Sequence, residues 1–299
     1  MSEVCAVLVT YNRLALLKES IAAILQQNVP VKQLLIIDNQ STDGTGDYLT
    51  QFADDARVTV VTASTNLGGA GGFQLGIDQA MQAGDYDYVW IMDDDTIPTE
   101  DCLSKLLDPI ATGKISNKGF VCSNVRWTDN SVAIMNIPYV SQNWNGVAQD
   151  GLVQVDAASF VSLLVPTATI AEIGLPIKEF FVWGDDHEYT LRISERYESY
   201  CVGDSIAIHK MAANHGVDIV TDDPGRIGRY FYNYRNAYYT ERKHHGAKGA
   251  LTQIAKDLYA IHKVLHRSAD HKWRRIHSIN KGMLAGFTFR PQIQFSQRK

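Results

Sequence analysis

Short apolar runs alternate with amphipathic segments over the first sixty residues of the chain. Residues 5–10, 34–39 and 58–61 are brief and evenly apolar, which is typical of strands buried on both faces. Residues 13–27 repeat apolar positions at helical spacing, and residues 45–52 predict a second helix. This alternation predicts a parallel, doubly wound α/β sheet flanked by helices.

A fourth apolar run ends in three consecutive carboxylates, Asp93, Asp94 and Asp95. The run predicts a buried strand, so these acids should lie at its carboxyl end, where open α/β sheets bind their ligands. Adjacent carboxylates repel one another unless a cation or a proton lies among them. The pattern therefore favours a divalent metal site, and the alternative is an Asp-rich turn that leads into a helix over residues 101–110.

Two further stretches are candidates for chemistry. Residues 68–72 contain four glycines ahead of a helix that reaches Met81, which predicts either a phosphate-binding loop or a flexible turn. Aromatic residues lead into Asp185 and Asp186 at the start of another helix. Either acid could serve as a general base beside the apolar wall, or the pair could simply cap the helix.

The second half of the chain predicts more strands and a helical end. His209 follows an apolar strand and is either a metal ligand or an ordinary structural histidine. Residues 126–151 read as an irregular or hairpin region. The remaining predicted elements are strands over residues 119–125, 155–166 and 205–210 and helices over residues 229–239 and 251–265.

Composition narrows the class of protein. The 299 residues are 45% hydrophobic and 20% charged, which is ordinary for a globular protein. We find no run of eighteen apolar residues and no secretory signal at the amino terminus, so we expect a cytoplasmic protein. The four cysteines lack metal-ligand spacing and should be reduced, buried residues.

Charge is divided unevenly along the chain. The net charge is -5, but residues 262–299 contain nine Lys or Arg and one acid, including Arg298 and Lys299. A basic tail on an acidic body suggests a polyanionic partner such as an anionic membrane surface. Nucleic acid would fit the charge but not the motifs, so we expect none. The remaining alternative is a solvated helical face with a disordered end.

Five segments, in order, resemble the inverting family 2 glycosyltransferases of the GT-A fold. They are residues 9–13, 37–45, 66–73, 90–95 and 183–188. Among these enzymes, the motifs look most similar to bacterial galactofuranosyltransferases, with rhamnosyltransferases as near relatives. The resemblance implies a Rossmann-like, mostly parallel central sheet flanked by helices, with a helical, basic carboxyl-terminal extension.

The domains follow from the extent of the resemblance. We expect a GT-A domain over residues 1–215, with a nucleotide-sugar half over about 1–98 and an acceptor half over about 99–215. Residues 216–299 should form the helical basic region.

The resemblance also implies roles for individual residues. Residues expected to bind the nucleotide sugar are Thr10, Tyr11, Arg13, Asp38, Asn66, Gly68, Gly69 and Asp94. Asp93, Asp95 and His209 would hold Mn²⁺ or Mg²⁺. Asp186 matches the catalytic base, but Gly184 stands where some relatives have a larger residue, which leaves Asp185 as an alternative base. The residues expected on the acceptor side are Trp183, Trp144 and His187.

The expected function is metal-dependent, inverting transfer of galactofuranose from UDP-galactofuranose to a lipid-linked bacterial surface glycan. Negative charge that builds on the leaving diphosphate would be stabilised by the cation, and a carboxylate would take the acceptor proton. A near alternative uses dTDP-rhamnose as donor, and a different class of alternative is a non-catalytic subunit that binds nucleotide sugars or glycans. We expect a cytoplasmic enzyme. If the enzyme binds a membrane, we expect peripheral attachment to the inner face of the cell membrane.

Overall fold

The amino-terminal half forms four parallel strands joined by helices, as predicted. The computed structural model describes residues 2–297. The strands lie in the order β3-β2-β1-β4, with neighbouring strands parallel. The elements of this half are β1 (Val4–Thr10), α1 (Leu14–Leu25), β2 (Gln33–Asp38), α2 (Thr45–Leu49), β3 (Val58–Thr62), α3 (Gly68–Ala83) and β4 (Tyr88–Asp93).

The second half extends the same sheet beyond β4. Its strands follow in the order β9-β6-β10-β8-β7, and a short strand β5 pairs with β10 to complete ten strands. Here most pairings are antiparallel, with β6 and β10 parallel. The elements are β5 (Thr96–Pro98), α4 (Cys102–Ala111), β6 (Val121–Arg126), β7 (Tyr139–Val140), β8 (Leu152–Ala157), β9 (Leu163–Pro166), α5 (Thr167–Ile173), α6 (Asp185–Ser194) and β10 (Ser199–His209).

The core lies on both faces of the sheet because successive side chains of a strand point in opposite directions. In β1, Val7 and Val9 join the cluster on one face, while Ala6 and Leu8 join the cluster on the other. Helix α3 covers the first face, and α1 and α4 cover the second. The mixed α/β sheet flanked by helices confirms the predicted fold class.

The prediction of one long strand over residues 155–166 is wrong. The segment divides into β8 and β9, which lie on opposite sides of the β6–β10 pair. The chain turns at Ser162, whose backbone has a positive φ of 57°. Its buried hydroxyl accepts a hydrogen bond from Trp90 Nε1 at 3.0 Å and lies 2.6 Å from Ser123 Oγ. These polar contacts satisfy the turn inside the core, which apolar patterning alone does not reveal.

The predicted glycine loop is also different, because the glycines lie inside α3. A Cβ at Gly72 would lie 2.6 Å from Val9 Cγ1, and one at Gly76 would lie 2.4 Å from Val7 Cγ1. The missing side chains therefore let the helix pack close against β1.

Two long helices follow the sheet. They are α7 (Tyr230–Arg267) and α8 (Lys272–Thr288). The two helices predicted over residues 229–239 and 251–265 are both in α7, which kinks at Gly246 where φ is 61° and ψ is -147°. The predicted boundary near residue 215 stays a prediction.

Residues 289–297, which we call the strap, have no regular secondary structure and return to the sheet domain. Leu175 N donates to Gln294 O at 2.7 Å, and Gln74 Nε2 donates to Gln294 Oε1 at 2.9 Å. The disordered-end alternative is therefore wrong for this segment, while Arg298 and Lys299 lie outside the described residues. Across residues 2–297, no helix combines the length and apolar character needed to cross a membrane.

Candidate active site

The acidic cluster lies where β1 and β4 end side by side. Asp94 Oδ2 accepts hydrogen bonds from Thr10 Oγ1 at 2.8 Å and from Tyr11 N at 3.2 Å. Strand β1 is flanked by β2 on one side and β4 on the other, so this edge is the point where the strand order reverses. Asp38 ends β2 opposite Thr10, and its Oδ1 accepts from Ser41 N at 2.9 Å. The predicted nucleotide-side residues are thus gathered at the switch point, where α/β sheets bind ligands.

Arg13 brings positive charge to these acids. Its guanidinium forms an ion pair with Asp95 and lies 3.5 Å from Asp94 Oδ1. Burial raises the pKa of Asp94 to about 6 in spite of Arg13 and Thr10. Burial also acts to raise the pKa of Asp95, but hydrogen bonds and charge from His209 and Arg13 outweigh it and lower that pKa. Asp95 is therefore the acid held most firmly in its ionised form.

His209 reaches the cluster because β10 pairs with β5. His209 lies opposite Thr96 in that ladder, and its Nε2 is 3.0 Å from Asp95 Oδ1. Its Nδ1 is 2.7 Å from Oδ1 of Asn136, a partner that sequence reasoning missed because it lies in an irregular segment without periodicity. Asn136 thereby fixes the orientation of the imidazole ring.

Asp93 is the acid whose charge is least compensated. Within residues 2–297, no hydrogen bond or ion pair of its carboxylate is found. Burial raises the pKa of Asp93 well above its ordinary value, and the charges of Asp95, Asp94 and Asp185 raise it further. The charge of Asp185 thus acts on Asp93, which couples the first predicted acidic cluster electrostatically to the acids of α6.

The predicted metal ligands are only partly assembled. Asp95 and His209 are in direct contact, and Asp93 interacts with Asp95 through charge. Across the described part of the chain, no group of three His, Cys, Asp or Glu residues is arranged to hold one metal ion. Two carboxylates and an imidazole are nevertheless ligands that suit Mn²⁺, and the uncompensated Asp93 carboxylate fits a cation.

The start of α3 is largely occupied by contacts within the protein. Asn66 Oδ1 accepts from Gly68 N at 2.8 Å, and Ala70 N donates to Phe181 O at 3.2 Å. Gly69 is open, since a Cβ there would meet no atom within 4 Å. The predicted phosphate contact thus depends on the space beside Gly69. The hydrogen bond from Ala70 N to Phe181 O also joins the start of α3, on the nucleotide side, to the loop before α6.

Helix α6 presents the second pair of acids. Gly184 is its capping residue, with φ of 86°, and Asp185 and Asp186 lie in the first turn. Burial raises the pKa of Asp185 to about 8, with a further rise from the charge of Asp186. Burial also raises the pKa of Asp186 to about 6, while a hydrogen bond from His187 N at 2.7 Å acts to lower it. The two carboxyls therefore differ in proton affinity, which separates an acid from a base.

The three predicted acceptor residues have different environments. Trp183 packs edge-on against Tyr230 with ring centroids 5.1 Å apart, and His187 packs on Tyr139 at 4.6 Å. Both lie next to the α6 acids in the chain. Trp144 is 47% exposed, and no contact of its ring with either acidic cluster is found among residues 2–297. Trp183 and His187 thus stay beside the second pair of acids by their place in the chain, whereas the structure does not bring Trp144 to them.

Sequence comparisons point to one enzyme family. The profile of Glycosyl transferase family 2 matches residues 5–150. Galactofuranosyltransferase GlfT1 of Mycolicibacterium smegmatis is 28% identical over 203 residues, which cover 64% of this chain and 65% of that relative. GlfT1 of Mycobacterium tuberculosis is 27% identical over 257 residues, which cover 79% of this chain and 81% of that protein.

Solved structures show the same fold. S. aureus TarS matches with a TM-score of 0.57 at 13% identity over 96% of this chain and 44% of that one. GalNAc-T7, solved with UDP, GalNAc and Mn²⁺, matches with a TM-score of 0.61 at 12% identity, covering 89% of this chain and 58% of that chain. The chain therefore matches the Glycosyl transferase family 2 model over residues 5–150 and shares the GT-A-like fold of these solved structures.

Proposed function

We propose that the protein is an inverting galactofuranosyltransferase that uses UDP-galactofuranose and a lipid-linked bacterial glycan as acceptor. The observation that carries the proposal is the contact between α3, on the nucleotide side, and the loop before α6, where Ala70 N donates to Phe181 O at 3.2 Å and so holds the acids of α6 next to the nucleotide edge. The two GlfT1 relatives support the choice of galactofuranose. A one-step displacement needs a donor site and a base on opposite sides of the anomeric carbon, and we assign the first role to the nucleotide-side acids and the second to the acids of α6.

Proton affinities favour Asp186 as the base. A carboxyl whose pKa is raised to about 6 by burial is ionised at neutral pH, yet it is more basic than an exposed carboxylate. Asp185, whose burial raises its pKa to about 8, holds a proton under the same conditions. Asp186 would take the proton of the attacking hydroxyl, and attack opposite the leaving diphosphate would invert the anomeric centre.

The nucleotide side would bind and neutralise the leaving group. Arg13 is half exposed and could turn from Asp94 and Asp95 toward a diphosphate. Mn²⁺ or Mg²⁺ held by Asp93, Asp95 and His209 would stabilise the charge of that diphosphate.

The carboxyl-terminal helices suggest a surface on which the protein meets its lipid-linked acceptor. On α8, Trp273 is 78% exposed and Leu284 is 62% exposed, and the basic Lys272 and Arg274 flank Trp273. Apolar and basic side chains on one helix suit the surface of an anionic membrane. We propose peripheral attachment there, which flotation with anionic and neutral vesicles would test. Equal binding of the wild type and of Trp273→Ala to both vesicle types would contradict it.

Donor choice can be tested without knowing the acceptor. Thermal shifts with UDP, dTDP and GDP, each with Mn²⁺, should show stabilisation by UDP, because a ligand that binds only the folded state raises its stability. Stabilisation by dTDP alone would support the dTDP-rhamnose alternative. Transfer from UDP-galactofuranose to a synthetic lipid-linked acceptor should be lost in Asp186→Asn, while UDP binding remains.

The non-catalytic alternative predicts the same UDP binding but differs in transfer. A subunit that only binds sugars or nucleotides would bind UDP equally well in wild type and Asp186→Asn and would show no transfer with either. Turnover by the wild type that Asp186→Asn lacks would exclude this alternative.

A further inference from the structure

The backbone just before the proposed base is strained. Val182 N donates to Phe180 O at 2.7 Å, which closes a tight turn around Phe181 with φ of 63° and ψ of -58°. This is a classic γ-turn, a rare conformation for a residue with a side chain. Trp183 and Gly184 follow with φ of 66° and 86°. Such a run persists only where surrounding contacts hold it, and it is common beside active sites.

One buried side chain of α7 holds this loop. Asn236 is 1% exposed, and its Nδ2 donates to Phe180 O at 3.0 Å, Val182 O at 3.2 Å and Trp183 O at 2.8 Å. An amide nitrogen has two hydrogens, so the three carbonyls share them. Without this donor, the three carbonyls would lose a shared partner in a mostly buried setting.

Arg235 orients the Asn236 amide. Its Nε and Nη2 lie 3.0 and 2.9 Å from Asn236 Oδ1, so the amide oxygen accepts from the guanidinium and the amide nitrogen must face the loop. Arg235 itself stacks on Phe289 of the strap, with the guanidinium carbon 4.0 Å from the ring centre. On the other side of the loop, Phe181 O accepts from Ala70 N of α3. The loop is therefore held between the nucleotide side and α7.

We propose that Asn236, oriented by Arg235, is a positioning residue that fixes the direction in which α6 presents Asp185 and Asp186 to the acceptor. This inference rests on the proposed function, since it assumes that one of these carboxylates is the base. A catalytic group displaced by about 1 Å can lose about a hundredfold in rate. The strained turn sets the start of α6, so release of the turn would move the acids without removing them.

The test compares Asn236→Asp with Gln253→Ala in the full chain. Asn236→Asp keeps the shape of the side chain but replaces the donating NH₂ with an oxygen that repels the three carbonyls. Gln253 is a matched control, because it is also a buried amide of α7 and donates to Asp257 Oδ1 at 2.7 Å, away from the loop. We expect Asn236→Asp to lower kcat about a hundredfold with a UDP dissociation constant within twofold of wild type. Gln253→Ala should lower the Tm and leave kcat unchanged.

Hydrogen–deuterium exchange gives a readout that does not depend on activity. Peptides that cover residues 178–184 should exchange faster in Asn236→Asp than in wild type, with no change in Gln253→Ala. If Asn236→Asp does not fold, Arg235→Gln provides a second test of the loop, because it leaves the Asn236 amide in place and removes the guanidinium that orients it and that also donates to Glu179 O and Phe180 O.

Three results would overturn the inference. One is unchanged exchange in the loop, and another is faster exchange with wild-type kcat. The third is an equal loss of UDP affinity and kcat, as general destabilisation would cause. A wild-type protein that transfers no galactofuranose would instead count against the proposed function, while loop exchange would still report whether Asn236 holds the turn.

Discussion

Replacing Gly68 with alanine should destabilise the protein far more than the same change at Gly113. Both glycines have φ of 71°, so an alanine at either position adopts a left-handed conformation at a cost of about 1 kcal/mol. At Gly113 the new Cβ would meet no atom within 4 Å. Gly113→Ala therefore measures the conformational cost alone.

At Gly68 the new Cβ would also collide with the loop before α6. It would lie 2.1 Å from Phe181 O and 2.7 Å from Phe181 C, both backbone atoms. Ordinary carbon-to-oxygen contacts are about 3.3 Å or longer, so the two segments must separate by about 1 Å. The hydrogen bond from Ala70 N to Phe181 O would be strained or lost, at about 1 kcal/mol. With overpacking of about 1 to 3 kcal/mol, we expect a total loss of about 3 to 5 kcal/mol.

The assay is equilibrium unfolding in urea, followed by both far-UV circular dichroism and tryptophan fluorescence. Coincident transitions would justify comparison of the free energies of unfolding of the two variants. If Gly68→Ala and Gly113→Ala lose the same free energy, the contact between α3 and the loop is not tight. In that case the link between the nucleotide side and the α6 acids would have to be abandoned.

Three further predictions concern charged groups. Burial raises the pKa of Asp186 to about 6, and a general base must be ionised to act. The kcat should therefore fall about tenfold per pH unit below pH 6. A kcat that stays constant between pH 5 and 7 would argue against Asp186 as the base. Asp93→Ala should remove the extra thermal stabilisation that Mn²⁺ adds to UDP, and an unchanged metal effect would exclude Asp93 as a ligand. Asp257 is buried, its Oδ2 has no hydrogen-bond partner among the described residues, and burial raises its pKa to about 7. The protonated carboxyl of Asp257 stabilises the folded state at low pH, and this contribution is lost as the pH rises from about 4 to 7. Asn cannot ionise, so Asp257→Asn should raise the free energy of unfolding at pH 8 by at most about 4 kcal/mol. The same variant should leave the free energy of unfolding unchanged at pH 4. Equal effects at both pH values would show that ionisation is not the cause.

Local patterns predicted the parallel half of the sheet well. The strands around Val7, Ile36 and Trp90 are apolar throughout because both faces are covered, and each is followed by a polar end that lies at one edge. Topology then places Thr10 beside Asp94 with no further information. The acids of the nucleotide side were therefore predictable as a group.

Contacts between distant segments were not predictable in the same way. The turn at Ser162 depends on partners at Trp90 and Ser123, and the setting of His209 depends on Asn136. These partners are separated by tens of residues and follow no period. The pKa difference between Asp185 and Asp186 likewise depends on burial that only the assembled fold provides.

The strap has a consequence for biosynthesis. Ile293 lies close to Gly174, because a Cβ added to Gly174 would be 2.6 Å from Cγ2 of Ile293. Gln294 forms hydrogen bonds with both Gln74 and Leu175. Helices α3, α5 and α7 are all translated before the strap that covers them. During synthesis, these surfaces therefore remain exposed until the strap emerges from the ribosome. A ribosome that pauses late would hold a nearly folded domain in which the surface under the strap is still uncovered. Chaperone contact or aggregation at that stage should concentrate on this uncovered surface.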